Sequence, residues 1–550
     1  MLRDIIIALS LSNLCFVSAW RSLFITASLS YYYFKKTLPP TVEYLSLILA
    51  VILVALILFL GIRVVRLVDV RVRTWAKVLF VLILSGPLYG LLSEINNSFV
   101  LRLLTRITRD AIVSQRLVAS LILAITLFLV GTALLKINSA SRIAIGAILI
   151  LAPLVLITFS QAIFLAIKYR SRDKSAPTIS QATAHKSPRI LWMVFDEFDF
   201  RVAFAERPNT VKLPQLDRLA SESLFASNAY PPAGDTLLSL PALITGKLIS
   251  EAHPEGPETL MIKYRDGESA VSWETQPNIF SRARAAGVNT ALYGWYHPYC
   301  RVLGNNLTKC DWEGQMTAAE MTRAVRGEPQ TISNNWTGLL QGLLKHVRTA
   351  AFTFPFVTRL SEPPSLDVAQ VERDKDILDF KKIYDQTVDA VNNPELGLIL
   401  VHWPIPHSPN IYDRSTHQIS AGPGHSYLDS LEMVDDTLGK IRASMEAQGS
   451  WDNTVILISS DHWWRSMWRK EQPWTAEDES TMGNSSDRRI PFILKLPGKS
   501  NKGIVYQPEF NTVLSHDLLL AILQRAISDN NGAADWLDKH RSTALVRTTN

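Results

Sequence analysis

The stretch Arg189-Ile-Leu-Trp-Met-Val-Phe-Asp-Glu-Phe-Asp199 reads as the central strand of an α/β sheet. Ile190 to Phe195 is an unbroken apolar run between polar flanks, the pattern of a parallel strand buried on both faces. It stops abruptly at Asp196 and Glu197. In open α/β sheets the ligand crevice lies beyond the carboxyl ends of the strands, so two acids at that point are placed to hold a cation. The alternative is a strand that simply turns polar where it meets solvent.

Outward from this strand, the same ending recurs. Gly397-Leu-Ile-Leu-Val401 is a second buried strand and runs into His402-Trp-Pro-Ile-Pro-His-Ser-Pro409. Thr454–Ser459 is a third, followed by Ser460-Asp-His462, a pair well suited to zinc-like ions and costly to bury unpaired. Thr290–Tyr293, after a helix expected over Gln276–Gly287, delivers Gly294-Trp-Tyr-His297 to the same edge. Further helices are expected over Leu213–Ala220 and Tyr427–Gly449, the latter from Leu431, Val434, Leu438, Ile441 and Met445 stepping by three and four. Between Asn228 and Gly246 a Pro/Gly/Asp turn precedes an apolar helix-like segment. Thr236 at that junction faces two readings: a nucleophile at a helix N-terminus, where the amides favour an anion, or, like Asp235, a plain N-cap.

Composition divides the 550-residue chain in two. Through Lys174 there are 19 Lys+Arg against 6 Asp+Glu, leaving 37 against 44 in the remainder. The pI near 9.0 thus comes from the apolar half, and the mildly acidic second half argues for a metal site and against nucleic acid binding. Apolar stretches at about Ile5–Trp20, Leu45–Ile62, Val78–Leu92, Leu117–Leu135 and Ile143–Ile167 predict about five membrane helices. Tyr31-Tyr32-Tyr33-Phe34 before Lys35-Lys36 reads as an interfacial belt with snorkelling lysines. The basic loop from Arg63 to Lys77 should be cytoplasmic, which after five spans places the second half outside; Arg102, Arg106, Arg109, Arg116 and the basic residues from Lys168 to Lys174 count against that orientation. A polar linker is expected over 175–187. In an irregular insert, about 314–376, Trp336, Leu339, Leu340, Leu343, Leu344 and Val347 form a helical stripe. It fits either a membrane-surface helix or an ordinary packed one. Cys300 and Cys310 are either a disulfide or two thiols, according to compartment; Cys15 reads as a small buried residue.

This order of motifs resembles the alkaline phosphatase/sulfatase superfamily over essentially all of 188–500 except the insert. Leu213–Ala220 is similar to its Pro-Asn-x-Asp-Arg-Leu-Ala segment. Ala286–His297 resembles the sulfatase Ala-Gly-Tyr-x-Thr-Ala-x-x-Gly-Lys-Trp-His stretch, and Asp487–Gly498 the Arg-Val-Pro-x-Ile-x-x-x-Pro-Gly closing strand. Two departures matter. Thr236-Leu-Leu-Ser-Leu-Pro241 stands where sulfatases carry Cys/Ser-x-Pro-x-Arg, so the formylglycine aldehyde cannot form, and Trp295 replaces the sulfatase lysine. Thr-x-x-Ser-x-Pro is instead similar to the nucleophile motif of the membrane-bound phosphoethanolamine transferases, which have five N-terminal spans and a periplasmic catalytic domain. Their His-x-x-x-x-His-x-Pro is matched by His402 to Pro409, and their Glu, Thr, Asp and His ligands fall on Glu197, Thr236, Asp461 and His462. The later histidine of that family is missing, since the next one is His516, and Trp463 replaces its glycine.

The resemblance implies a membrane domain over 1–174, a sulfatase-like catalytic domain over 188–530 and a polar tail over 531–550, in a bacterial inner-membrane protein with its catalytic domain extracytoplasmic. It implies a divalent ion, zinc first, with calcium, manganese or magnesium as alternatives. The ion would be held by Asp196 or Glu197 or both, with Thr236, Asp461 and His462. Thr236 would be the nucleophile and His407 the proton donor or phosphoryl ligand, with His297 and His402 binding substrate. The expected partners are a membrane-lipid donor and a lipid or glycan acceptor. The rivals are a hydrolase of phosphate or sulfate esters and an inactive binding module; oligomeric state is not legible.

Overall fold

The computed structural model describes residues 1–24, 29–36, 39–67, 74–78, 131–132, 135–168, 188–316, 318–328, 333–352, 367–465, 474–482, 487–498 and 503–541. The chain divides into two units, one of residues 1–28, 37–173 and 329–366, the other of 29–36, 174–328 and 367–550. This differs from the division expected at 174 in two places. Residues 29–36 belong with the second unit, and 329–366 with the first.

In the first unit, helices Leu2–Cys15, Val17–Phe24, Thr41–Val65, Ile137–Ile150 and Pro153–Lys168 are seen. Two stretches among the described residues, Thr41–Val65 and the nearly continuous Ile137–Ile167, are long and apolar enough to cross a membrane. The first expected span is two shorter helices meeting at Phe16, and the third and fourth fall outside the described residues almost entirely. Polar side chains join these helices from within. Ser10 Oγ donates to the Ile148 carbonyl at 2.8 Å, Ser12 Oγ to the Val51 carbonyl at 2.7 Å, and Asn13 Oδ1 accepts from Trp20 Nε1 at 2.8 Å and Thr158 Oγ1 at 3.1 Å. Such bonds carry helix association where apolar burial gives little net drive. The insert's helix, Trp336–Phe352, turns Leu343 and Val347 into this unit's core and leaves Trp336, Leu340 and Leu344 exposed.

Among the described residues, the second unit is built on a nine-stranded sheet. In chain order its strands are β1 (Arg189–Asp196), β2 (Leu224–Tyr230), β3 (Thr290–Trp295), β4 (Lys309–Glu313), β5 (Leu398–Pro406), β6 (Thr454–Ser460), β7 (Ile490–Lys495), β8 (Ile504–Tyr506) and β9 (Phe510–Asn511). They lie in the order β8-β2-β7-β6-β1-β5-β3-β4, with β9 also on β2. β1 is central and parallel to both neighbours, β6 and β5. Its alternate residues feed two separate cores, Ile190, Trp192 and Val194 on one face and Leu191, Met193 and Phe195 on the other. That double burial is why the strand reads as a continuous apolar run. Helices Thr236–Thr245 and Ser515–Leu523 cover the first face, and Pro214–Glu222, Val368–Val391 and Tyr427–Ala447 the second.

Two expectations change. Tyr32, Tyr33 and Lys35 are not an interfacial belt: they are 7%, 0% and 7% exposed within the second unit. Lys35 pairs with Glu320 at 2.7 Å, and Lys36 with Asp311 at 2.5 Å. The polar tail begins as a packed helix, Asn530–His540, which buries Ala533 and Leu537. Cys300 and Cys310 form a disulfide with their Cα atoms 5.6 Å apart, and Cys15 is buried and unbonded.

Candidate active site

β1, β5 and β6 end side by side, and their polar ends converge. Asp196 comes from β1, His402 from β5, and Asp461 and His462 follow β6. Thr236 opens the helix Thr236–Thr245, whose N-cap is Asp235: its Oδ1 accepts from Leu238 N at 2.9 Å. The cap position is therefore filled by the neighbouring residue, and the threonine hydroxyl points elsewhere. It lies 3.3 Å from Asp196 Oδ2 and 3.4 Å from His462 Nε2. The helix stops at Gly246 with φ +73°, where a Cβ would meet the His516 ring at 2.6 Å, so only glycine makes this turn without displacement.

Asp196, Asp461 and His462 form a group whose donor atoms all lie within 4.8 Å of one another. His462 Nε2 is 3.4 Å from Asp196 Oδ1 and 3.5 Å from Asp461 Oδ2. Two ligands bound about 2.0–2.2 Å from one tetrahedral ion would lie about 3.3–3.6 Å apart, so these spacings suit a shared ion. Tautomers support the same reading. His462 Nδ1 faces the Trp463 carbonyl at 2.9 Å, and His402 Nδ1 the Trp295 carbonyl at 3.1 Å. A carbonyl only accepts, so both Nδ1 atoms carry the proton and both Nε2 lone pairs face the acids. His402 Nε2 is 3.9 Å from a carboxylate oxygen of each aspartate, and it, Asp196 Oδ1 and Asp461 Oδ2 have no hydrogen-bond partner among the described residues. Burial, then repulsion from Asp461 and Glu197, pushes the Asp196 carboxyl well above its usual range. Burial also raises Asp461 and lowers His462 and His402 to about 4 each. Buried carboxylates facing lone pairs repel unless a cation lies among them, and carboxylate and imidazole donors together suit a zinc- or manganese-type ion.

The other expected residues are placed as follows. Glu197 has φ +62° and its Oε1 accepts from Arg465 Nε at 2.7 Å; it is not one of the three residues of this group, but its charge acts on both Asp196 and His462. Between the two acids, the geometry brings Asp196 to the cluster. His297 donates from Nε2 to the Thr236 carbonyl at 3.1 Å, and its Nδ1 bonds the Tyr33 hydroxyl at 2.9 Å. Both its nitrogens are engaged within the chain, so a phosphoryl contact would cost one of these bonds. His407 is half-buried beside Trp295, their rings 5.2 Å apart. The tryptophan that replaces the sulfatase lysine thus backs this histidine.

Several residues here escaped the sequence reading. Ser460 Oγ accepts from Phe198 N at 2.9 Å, and the Tyr427 hydroxyl donates to the Glu197 carbonyl at 2.6 Å; together they hold the turn after β1. Tyr299 bonds His402 Nδ1 at 2.9 Å. For Arg465, a basic residue three positions past the Asp-His pair was the available signal.

The sulfatase family model matches residues 188–526, and the chain belongs to that family, within the alkaline phosphatase/sulfatase superfamily of metal-dependent enzymes. No curated protein matches it. Solved structures similar to it include the PsFucS1 sulfatase from Pseudoalteromonas sp. (15% identity, 62% of this chain and 68% of that one, TM-score 0.38). Others are the phosphonate monoester hydrolase of Agrobacterium radiobacter (13%, 61% and 74%, 0.37) and an alkaline phosphatase superfamily protein from Vibrio parahaemolyticus (13%, 64% and 68%, 0.35). The family assignment rests on the family model and not on these distant likenesses.

Proposed function

We propose that this protein is a membrane-anchored, metal-dependent phosphotransferase in which Thr236 takes a phosphoryl group from a membrane-lipid donor and passes it to a lipid or glycan acceptor. The carrying observation is the Thr236 hydroxyl, relieved of capping by Asp235 and set against Asp196 and His462 at a helix N-terminus. Asp196, Asp461, His462 and His402 would hold the ion. When bound, it supplies positive charge that favours the ionised hydroxyl and the phosphoryl oxygens. Thr236 Oγ1 attacks phosphorus as the donor's ester oxygen leaves and takes a proton from His407. An acceptor hydroxyl then attacks the phosphothreonine, returns a proton and restores Thr236. A threonine cannot become formylglycine, which favours phosphoryl transfer over sulfate ester cleavage. Family membership also accommodates water as the acceptor. Incubation with membrane phospholipids followed by mass spectrometry should find an adduct on the Thr236 peptide, with a mass that names the group. No adduct on Thr236 during demonstrable turnover would overturn the covalent reading.

We place the catalytic unit outside the cytoplasm. Residues 29–36 belong to the same unit as β1, and Thr41–Val65 follows them directly. If that helix crosses the bilayer, Arg63 and Arg66 lie on the opposite side, where basic loops mark the cytoplasm. The Cys300–Cys310 bond agrees with an oxidising compartment. A reporter active only outside the cytoplasm should work when fused after Ser180. Activity there of a cytoplasm-only reporter would overturn the orientation.

A further inference from the structure

Tyr33 lies in the short helix Leu29–Phe34 of the second unit, 264 residues from His297, and is fully buried beside it. The stretch is fastened there. Arg301 donates to the Tyr32 carbonyl at 3.2 Å and the Tyr33 carbonyl at 3.4 Å, and the Phe34 carbonyl accepts from Gln315 N at 2.8 Å. The Tyr33 ring stands edge-on to His297 with centroids 5.8 Å apart, and Trp273 does the same at 5.2 Å. In this aromatic surround the direction of each hydrogen bond is fixed by chemistry. The Thr236 carbonyl can only accept, so His297 Nε2 carries the proton. Nδ1 of the neutral ring is then an acceptor, and the Tyr33 hydroxyl must donate. The result is a chain from Tyr33 O–H to His297 Nδ1, and from Nε2–H to the backbone of Thr236.

We infer that Tyr33 is a positioning residue for the nucleophile, holding His297 in the Nε2–H tautomer so that it fixes the carbonyl of Thr236. The effect on turnover rests on the function proposed above; the tautomer does not. Phenylalanine at this position keeps the ring and removes only the donor. In full-length Tyr33→Phe protein, thermal stability and metal content should stay near wild type. Hydrolysis of p-nitrophenyl phosphate should fall in kcat by roughly tenfold with little change in KM, the effect of about 1.4 kcal/mol.

The control separates positioning from packing. In His297→Gln the side-chain amide can still donate to the Thr236 carbonyl but has no Nδ1, so adding Tyr33→Phe should cost nothing further. A wild-type kcat in Tyr33→Phe, or the same tenfold loss in the His297→Gln background, would overturn the proposal. The independent arm is nitrogen NMR of the wild-type histidine ring. A single Nε2–H tautomer is expected at His297, and an Nδ1–H tautomer or a charged ring would overturn the proposal whatever the enzyme's activity. If wild type neither hydrolyses a phosphate ester nor transfers its phosphoryl group to any acceptor, the function proposed above fails, and the ring spectra of wild type and Tyr33→Phe still decide the role of Tyr33.

Discussion

Full-length protein carrying Thr236→Ala is expected to fold with near-normal stability, retain much of its metal and lose turnover by several orders of magnitude, on the order of a thousandfold or more. The structure sharpens this expectation, because the helix cap is Asp235 and not Thr236. Loss of a true cap would cost roughly 1 kcal/mol; here that cost should appear in Asp235→Ala and be largely missing from Thr236→Ala. Thr236→Ser keeps a hydroxyl and should keep measurable activity. The measurement is kcat on a phosphate ester, with thermal melting and metal analysis of the same samples. Near-normal turnover in Thr236→Ala would end the covalent mechanism and leave the threonine a structural residue.

The second large effect should come from Asp461. Its Oδ1 accepts from His462 N at 2.8 Å and Glu197 N at 3.3 Å, while Oδ2 faces both histidines without a hydrogen-bond partner among the described residues. Alanine would strand two buried N–H groups and cost about 1–3 kcal/mol for that reason alone. Asp461→Asn is the cleaner variant, since it keeps the accepting oxygen and removes the charge. Metal affinity should fall on the order of a hundredfold or more, and turnover with it. For wild type, zinc at a thousandfold over its Kd should raise stability by about 4 kcal/mol; the same addition should do little for Asp461→Asn. Stoichiometric metal in purified Asp461→Asn would remove this aspartate from the ion's ligands.

Much of this site was legible because buried parallel strands announce themselves. Uninterrupted apolar runs ending in Asp196, His402 and Asp461-His462 can be read without coordinates, and strand ends in such sheets share one edge. What was hidden depends on side-chain direction or on distant pairing. That Asp196 joins Asp461 and His462 while Glu197 pairs with Arg465 is a matter of side-chain direction, and no periodicity encodes that. Tyr33 was misread because an aromatic run before two lysines has the composition of a membrane interface whether or not a folded partner waits 264 residues downstream. The helix at Asn530–His540 was missed because Asn-Asn-Gly at its start resembles a polar tail. Ala533 and Leu537, four apart, with Ala534 and Trp536 packed beside them, were the core-facing sign.

The insertion of residues 29–36 into the catalytic unit sets an order of events during synthesis. At about 5–20 residues per second, the ribosome needs roughly 15–50 s to travel from Tyr33 to His297. Throughout that interval the aromatic segment has been made while its socket does not yet exist. The packing around His297 thus forms late, and only when one unbroken chain has brought residues 29–36 and His297 into one unit. A catalytic fragment beginning at β1 would carry every candidate ligand and still lack Tyr33. Completion of the candidate site is thereby made conditional on the docking of residues 29–36.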